Sequence, residues 1–212
     1  MRKYSIISLL VFMAVFALIT VSYVKPWSYI NELSTNDPLK WYPYVEWYPL
    51  KATFFGGMTV KYTNFDSQAN LKYFIQLCNA SLAFAILAWI GSIVMIIISI
   101  ADIMEKKIPE ICKFLGWIVF LFSLLSFSIY LGTPSAKIKD CRMSFLGSKD
   151  CDTLPIYQQR LIGTYIDYNR QYEREVEYKF GLSAGLISIV IACAVSLFGS
   201  IYNLFFFNHQ NV

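Results

Sequence analysis

The sequence predicts an all-α integral membrane protein: a four-transmembrane-helix bundle with a small extracellular or lumenal cap that contains a β-hairpin and an amphipathic helix. Three observations carry this reading. Of 212 residues, 57% are hydrophobic and 15% charged, where a soluble domain usually carries about 25% charged residues. The apolar residues gather into four long runs. The 14 acidic and 18 basic residues fall almost wholly between those runs. A net charge of +4, small and interleaved, gives no phosphate-binding face, so nucleic acid is not an expected partner.

The runs place the elements in order. A bilayer core about 30 Å thick needs ~20 apolar helical residues. Spans are expected at 5–24, 74–103, 111–133 and 180–207. The second and fourth exceed that length and must tilt or project beyond the lipid. Arg2 and Lys3 precede the first run as they would in a signal peptide. That run is longer than a typical h-region of about 7–15 residues, so a retained helix is expected.

Between the spans lie an outer loop at 25–73, a short turn at 104–110 and a second outer loop at 134–179. Arg2 and Lys3 flank the first span, and Lys106, Lys107 and Lys113 crowd the short turn and the start of the third span. By charge density the termini and this turn are cytoplasmic. The expected location is a plasma or secretory-pathway membrane, with a mitochondrial membrane left open. The cysteines point the same way. Of Cys78, Cys112, Cys141, Cys151 and Cys193, only Cys141 and Cys151 share an aqueous loop. A disulfide between them would place that loop in an oxidising compartment. Cys112 begins the third span, where palmitoylation is one option and a plain helix-end thiol the other. Asn79-Ala80-Ser81 matches the glycosylation pattern but sits at the start of a span.

The first outer loop divides in two. Residues 25–50 hold Trp27, Trp41 and Trp47 with Pro26, Pro38, Pro43 and Pro49, and prolines at this density prevent a regular helix. Trp41-Tyr42-Pro43 is repeated as Trp47-Tyr48-Pro49. Such aromatics suit the headgroup layer, a partner surface or a local cluster over the helix ends. Residues 51–63 read as a hairpin, with Gly56-Gly57 as the turn and alternating apolar and polar residues after it. A lone hairpin is marginal, so further strands, helix ends or another subunit must cover it. In the second outer loop, Leu161, Tyr165, Tyr168, Tyr172 and Val176 recur at spacings of three and four. They suggest an amphipathic helix feeding into the fourth span. In that span Ala184, Ser188, Ala192, Ser196 and Ser200 form a small-residue row that lets helices approach closely, inside the bundle or between copies.

No catalytic, cofactor-binding or metal-ligating constellation is found, so no enzyme activity and no cofactor are expected. The spans carry no charge between their ends, which argues against a proton relay or coupled transporter. His209 is the only histidine, which excludes bis-histidine haem and the usual histidine metal sites. Asp140, Asp150 and Asp152 cluster in the second loop, but Lys139, Arg142 and Lys149 interleave with them as ion-pair partners.

The four spans, the β character of the first outer loop, the short inner turn, and Trp27 and Trp47 in that loop resemble the claudin-like four-transmembrane superfamily. The chain lacks that group's paired first-loop cysteines and its Gly-Leu-Trp-x-x-Cys core. The resemblance is therefore one of topology and transfers no functional residue. It implies cytoplasmic termini and a smaller structural role for the second outer loop. The expected partners are membrane lipid and other membrane proteins or a second copy. The expected function is non-enzymatic association, as adhesion protein, scaffold or auxiliary subunit. A channel subunit, or an accessory subunit of a large and possibly respiratory complex, is the alternative. Trp41, Trp47, Tyr168 and Tyr172 are the expected anchors.

Overall fold

A computed structural model describes residues 2–33, 41–54, 57–61, 71–106, 112, 114–143, 151, 161–169 and 174–207. In chain order they form α1 (Arg2–Val24), β1 (Ser28–Leu33), β2 (Trp41–Trp47), β3 (Lys51–Phe54), β4 (Thr59–Lys61), α2 (Lys72–Ile103), α3 (Leu115–Leu131), α4 (Thr133–Met143), β5 (Gly163–Asn169), β6 (Arg174–Leu182) and α5 (Ala184–Phe207). They divide into two compact units, Met1–Ser22 with Ser81–Ser128 and Ile187–Val212, and Tyr23–Ala80 with Ile129–Leu186.

The first unit is helical. Four helices of the chain are long and apolar enough to cross a membrane. Large side chains such as Leu10, Ile97, Leu121 and Phe198 stand exposed on their flanks, as lipid-facing positions do. Close packing falls to small residues. A Cβ on Gly199 of α5 would come within 2.7 Å of Val11 Cγ1 on α1. Ser188 is only 9% exposed, and Ala192, Ser196 and Ser200 are wholly buried. That stretch of the small-residue row therefore lies inside the chain, while Ala184, in the other unit, is exposed. Hydroxyls join helices in the same way. Ser81 donates to the Ser126 carbonyl at 2.6 Å, Ser8 lies 3.2 Å from Ser99, and Ser5 donates to Asp102. Others fold back on their own helix, as Ser200 does onto the Ser196 carbonyl, which satisfies these hydroxyls in an apolar setting.

The second unit corrects the all-α expectation. It holds a six-stranded sheet of order β4-β3-β2-β1-β6-β5 in which every neighbouring pair is antiparallel. The expected hairpin is present as β3–β4, with Lys51 opposite Lys61 and Thr53 opposite Thr59. The Phe54 N–H bond to the Met58 carbonyl leaves three residues between the paired ends rather than the two of a Gly56-Gly57 turn, and Gly57 takes the left-handed φ of +81° usual at the last position of a three-residue hairpin loop. The hairpin is covered by further strands, as β2 pairs with β3.

Three boundaries also change. The amphipathic helix expected across 161–179 is instead β5 and β6. The tyrosine spacings of three and four satisfied a helical template. The run Glu175-Val176-Glu177-Tyr178-Lys179-Phe180, however, alternates charged and apolar with the period of a strand. In β6, Val176, Tyr178 and Phe180 are buried and Lys179 is exposed. The fourth helix consequently starts at Ala184, and residues 180–182 belong to the sheet. Finally, 133–143 is helical rather than loop. Gly132 separates α3 from α4, the Thr133 hydroxyl turns back to the Tyr130 carbonyl at 2.8 Å, and Pro134 occupies the first turn, where its missing N–H costs nothing. Cys141, on α4, is disulfide-bonded to Cys151, as the loop chemistry predicted.

Candidate interaction surface

Alternation gives the sheet two different faces. On one, Ser28, Ile30, Val45, Trp47, Ala52, Val176, Tyr178 and Phe180 are buried. Trp47 packs edge-on against Phe74 of α2 with ring centroids 4.6 Å apart, and lies 6.3 Å from Phe54. Lys137 of α4, itself only 8% exposed, sets its ammonium 4.4 Å from the Trp47 ring centre and 4.8 Å from that of Phe74. Two ring faces thus stabilise a cation whose burial would otherwise be costly. Asp140 accepts the backbone N–H of Tyr73 at 2.8 Å and of Phe74 at 2.7 Å. It caps an α2 whose first turn has no acidic residue of its own, the favourable place for a carboxylate.

The start of this sheet is tied to the helix ends by backbone bonds. Trp27 N–H donates to the Trp47 carbonyl at 2.7 Å, Ser183 N–H to the Trp27 carbonyl at 2.9 Å, and Gly185 N–H to the Pro26 carbonyl at 2.9 Å. A Cβ at Gly185 would fall 2.6 Å from the Lys25 carbonyl oxygen, so only glycine permits the approach. Trp27 meets Tyr130 edge-to-face at 5.0 Å, and the Tyr130 hydroxyl lies 2.6 Å from Ser28.

The other face is exposed and chemically mixed. Pro43, Lys51, Lys61, Thr164, Ile166 and Lys179 are exposed, while Tyr29, Asn31, Trp41 and Glu46 are half-buried. Ile166 is 59% exposed and Ile162, just before β5, 68%. Lys179 sits 5.8 Å from the Trp41 ring centre. Trp41 is of a residue type enriched at protein interfaces, whereas lysines are depleted there.

A bulge sorts the two tryptophans. Ile30 pairs with Val45 and Asn31 with Pro43, leaving Tyr44 as the extra residue. Pro43, unable to donate to a ladder, is tolerated beside such an irregularity. Tyr44 joins Tyr178 at 5.3 Å, and Tyr165 stacks on Tyr178 at 6.5 Å. Burial first, then the nearby Glu32 charge, raises the Tyr44 phenol above its ordinary pKa. Tyr48 is raised as well, by burial and then by its hydrogen bond to Glu46 and the charge there.

Of the four expected anchors, the structure thus places Trp41 on the exposed face and Trp47 in the core. Tyr168 lies in β5 opposite Glu175, and Tyr172 falls outside the described residues. The sequence reading passed over Ile166 and Lys137 and took Lys179 for a cation on the polar face of the expected helix, where the period-two pattern of β6 was the signal that could have placed it on a sheet face. Among the described residues no cluster of three or more His, Cys, Asp and Glu side chains comes together. Cys78 is buried, and Cys112 and Cys193 are partly so. Compared with known proteins, the chain matches no family model and no curated protein.

Proposed function

We propose that the chain is a non-enzymatic tetraspan membrane protein that associates with another membrane protein through the exposed face of its outer sheet. The observation that carries this is the half-buried Trp41 beside Lys179 and the exposed Ile166 on one face of that sheet. A face that only met water has no use for a large aromatic there, whereas interfaces concentrate binding energy in such residues. The claudin-like reading accords with it, since the first outer loop supplies four of the six strands. In this reading the termini and the 104–110 turn are cytoplasmic and the sheet is outside the cell or in a lumen, where the Cys141–Cys151 bond persists.

Native mass spectrometry of gently solubilised protein tests the association. A defined hetero- or homo-assembly is expected, and a monomer at every lipid and detergent condition overturns the reading. Current across a bilayer holding the purified protein would redirect it to the channel alternative. A fixed set of redox subunits in the same spectra would redirect it to the accessory role. The orientation is tested separately. A thiol reagent that cannot cross membranes should leave a Lys106→Cys variant unlabelled in intact cells or sealed vesicles.

A further inference from the structure

We propose that the helical unit holds an ordered water molecule in its interior, between the side-chain amide of Asn203 on α5 and the hydroxyl and carboxylate groups that join α1 to α2. Every residue of this site belongs to the helical unit, so the site does not depend on the association reading.

Helix direction places the amide. The Gly185 N–H, near the start of α5, bonds to the Pro26 carbonyl, just past the end of α1. Further along, a Cβ on Gly199 would lie 2.7 Å from Val11 Cγ1 and 3.4 Å from Phe12 Cζ. Residue numbers rise along α5 as they fall along α1, so the two helices run antiparallel. Residues four apart on a helix share a face. One turn beyond Gly199, Asn203 therefore faces the position one turn before Phe12, which is Ser8. Both side chains are buried, with Ser8 3% and Asn203 2% exposed. The end of α2 lies against the same stretch of α1. The Ser99 hydroxyl is 3.2 Å from that of Ser8, and one turn on Asp102 accepts from Ser5.

The hydrogen-bond inventory then names the guest. Ser99 donates to the Met95 carbonyl of its own helix at 2.8 Å, so Ser8 is the donor of the Ser8–Ser99 pair. Ser5 donates to Asp102. The hydroxyl protons are engaged, and what these groups still offer is lone pairs, on Ser5, Ser8 and the Asp102 carboxylate. Asn203 has the opposite need. Its Nδ2 is buried and has no hydrogen-bond partner, a costly state for a donor in an apolar bundle. Donor and acceptors thus occupy one buried layer without bonding to each other. Water accepts from the first and donates to the others, and interior waters characteristically bridge such groups. A bare cation offers no lone pair to an N–H donor, and the Asp102 charge repels an anion. Hydroxyls nearer the middle of the bundle need no such guest, because Ser123 and Ser196 donate to the Val119 and Cys193 carbonyls, each at 2.9 Å. The bridge ties α5 to α1 and α2 by directional bonds just beyond the small-residue row.

Crystals of the full chain grown in a lipidic mesophase test the site directly. An isolated density peak is expected about 2.9 Å from Asn203 Nδ2 and within hydrogen-bond reach of the Ser8 oxygen. No peak there, in maps that show other interior waters, overturns the proposal, as does a direct bond from Asn203 to Ser8 or Asp102. A peak that thallium replaces, seen by its anomalous signal, is a cation and overturns it too. Oxygen-17 relaxation dispersion on protein in nanodiscs gives a second readout, the number of long-lived internal waters. Asn203→Leu fills the space and should lower that number by about one. An unchanged number in a variant that keeps the wild-type melting temperature overturns the proposal. Should Asn203→Leu fail to fold, Ser8→Ala removes an acceptor and leaves the amide in place. It must shorten the residence time of that water, and an unaltered residence time overturns the proposal equally.

Discussion

The tripeptide Trp-Tyr-Pro occurs at 41–43 and again at 47–49, and the two copies meet opposite fates. Trp47 is 1% exposed, wedged between Phe74 and the Lys137 ammonium. Trp41 is half-buried on the other face, beside Lys179. Six residues is an even number, and in an unbroken strand an even separation puts two side chains on the same face. On β1 their partners are Ser28 and Leu33, an odd separation. The difference is Tyr44, the extra residue of the bulge, which inverts the alternation between the copies. One inserted residue turns a repeat into a core tryptophan and a surface tryptophan. The lesson is that local chemistry does not assign a role, because register does.

The strongest way to break this contrast is Trp47→Ala. Removing a fully buried indole typically costs about 3–5 kcal/mol, and here it also strips a ring from a buried ammonium. A large fall in melting temperature is expected in lipid nanodiscs, preceding any loss of partner. Unchanged stability in this variant would mean that the two faces are not energetically distinct.

A smaller effect is expected from the disulfide. The Cys141–Cys151 bond closes a ring of sequence separation 10, for which restriction of the unfolded chain gives about 2–3 kcal/mol. The bond anchors α4, which carries Lys137 under Trp47 and Asp140 at the start of α2. Replacing both cysteines by Ser should therefore lower the melting temperature less than Trp47→Ala does. It should also sensitise the buried face while leaving the environment of Trp41 alone. Proteolysis or hydrogen exchange around 71–78 checks this, and protection unchanged there would detach the disulfide from the core.

What was legible in the sequence follows the same division. The four spans were readable because length and apolarity alone define them, and the 51–61 hairpin because Gly56-Gly57 and alternation coincide. Cys141 and Cys151 could be paired because no other cysteine falls between the third and fourth apolar runs. The strands β5 and β6 were not recognised, since tyrosines at 165, 168 and 172 fit a helical face as well as a strand, and the charged–apolar alternation of 175–180 was outweighed. The bulge was invisible because an irregularity of pairing exists only between two strands. For that reason both tryptophans read alike as anchors, although one of them is core.

The smallest expected stability effect, and the most informative, is that of Trp41→Ala. The side chain is half-buried and its contact with Lys179 is at the long end of cation–π range. An exposed contact of this kind is worth about 0.5–1 kcal/mol, so the melting temperature should move little. Partner binding should respond far more. Truncating an interface aromatic commonly costs about 2 kcal/mol or more, close to thirtyfold in affinity. The two tryptophans thus predict crossed outcomes: Trp47→Ala loses stability and then everything that depends on it, whereas Trp41→Ala stays folded and leaves its assembly. Tyr42, 39% exposed beside it, provides the control for a general loss of aromatic surface, because Tyr42→Ala should change assembly less. Titration of the native complex by mass spectrometry, with melting curves on the same samples, separates the two quantities. A folded Trp41→Ala protein whose assembly matched wild type would remove this tryptophan from the interface and leave Ile166 and Lys179 as the next residues to vary on the exposed face.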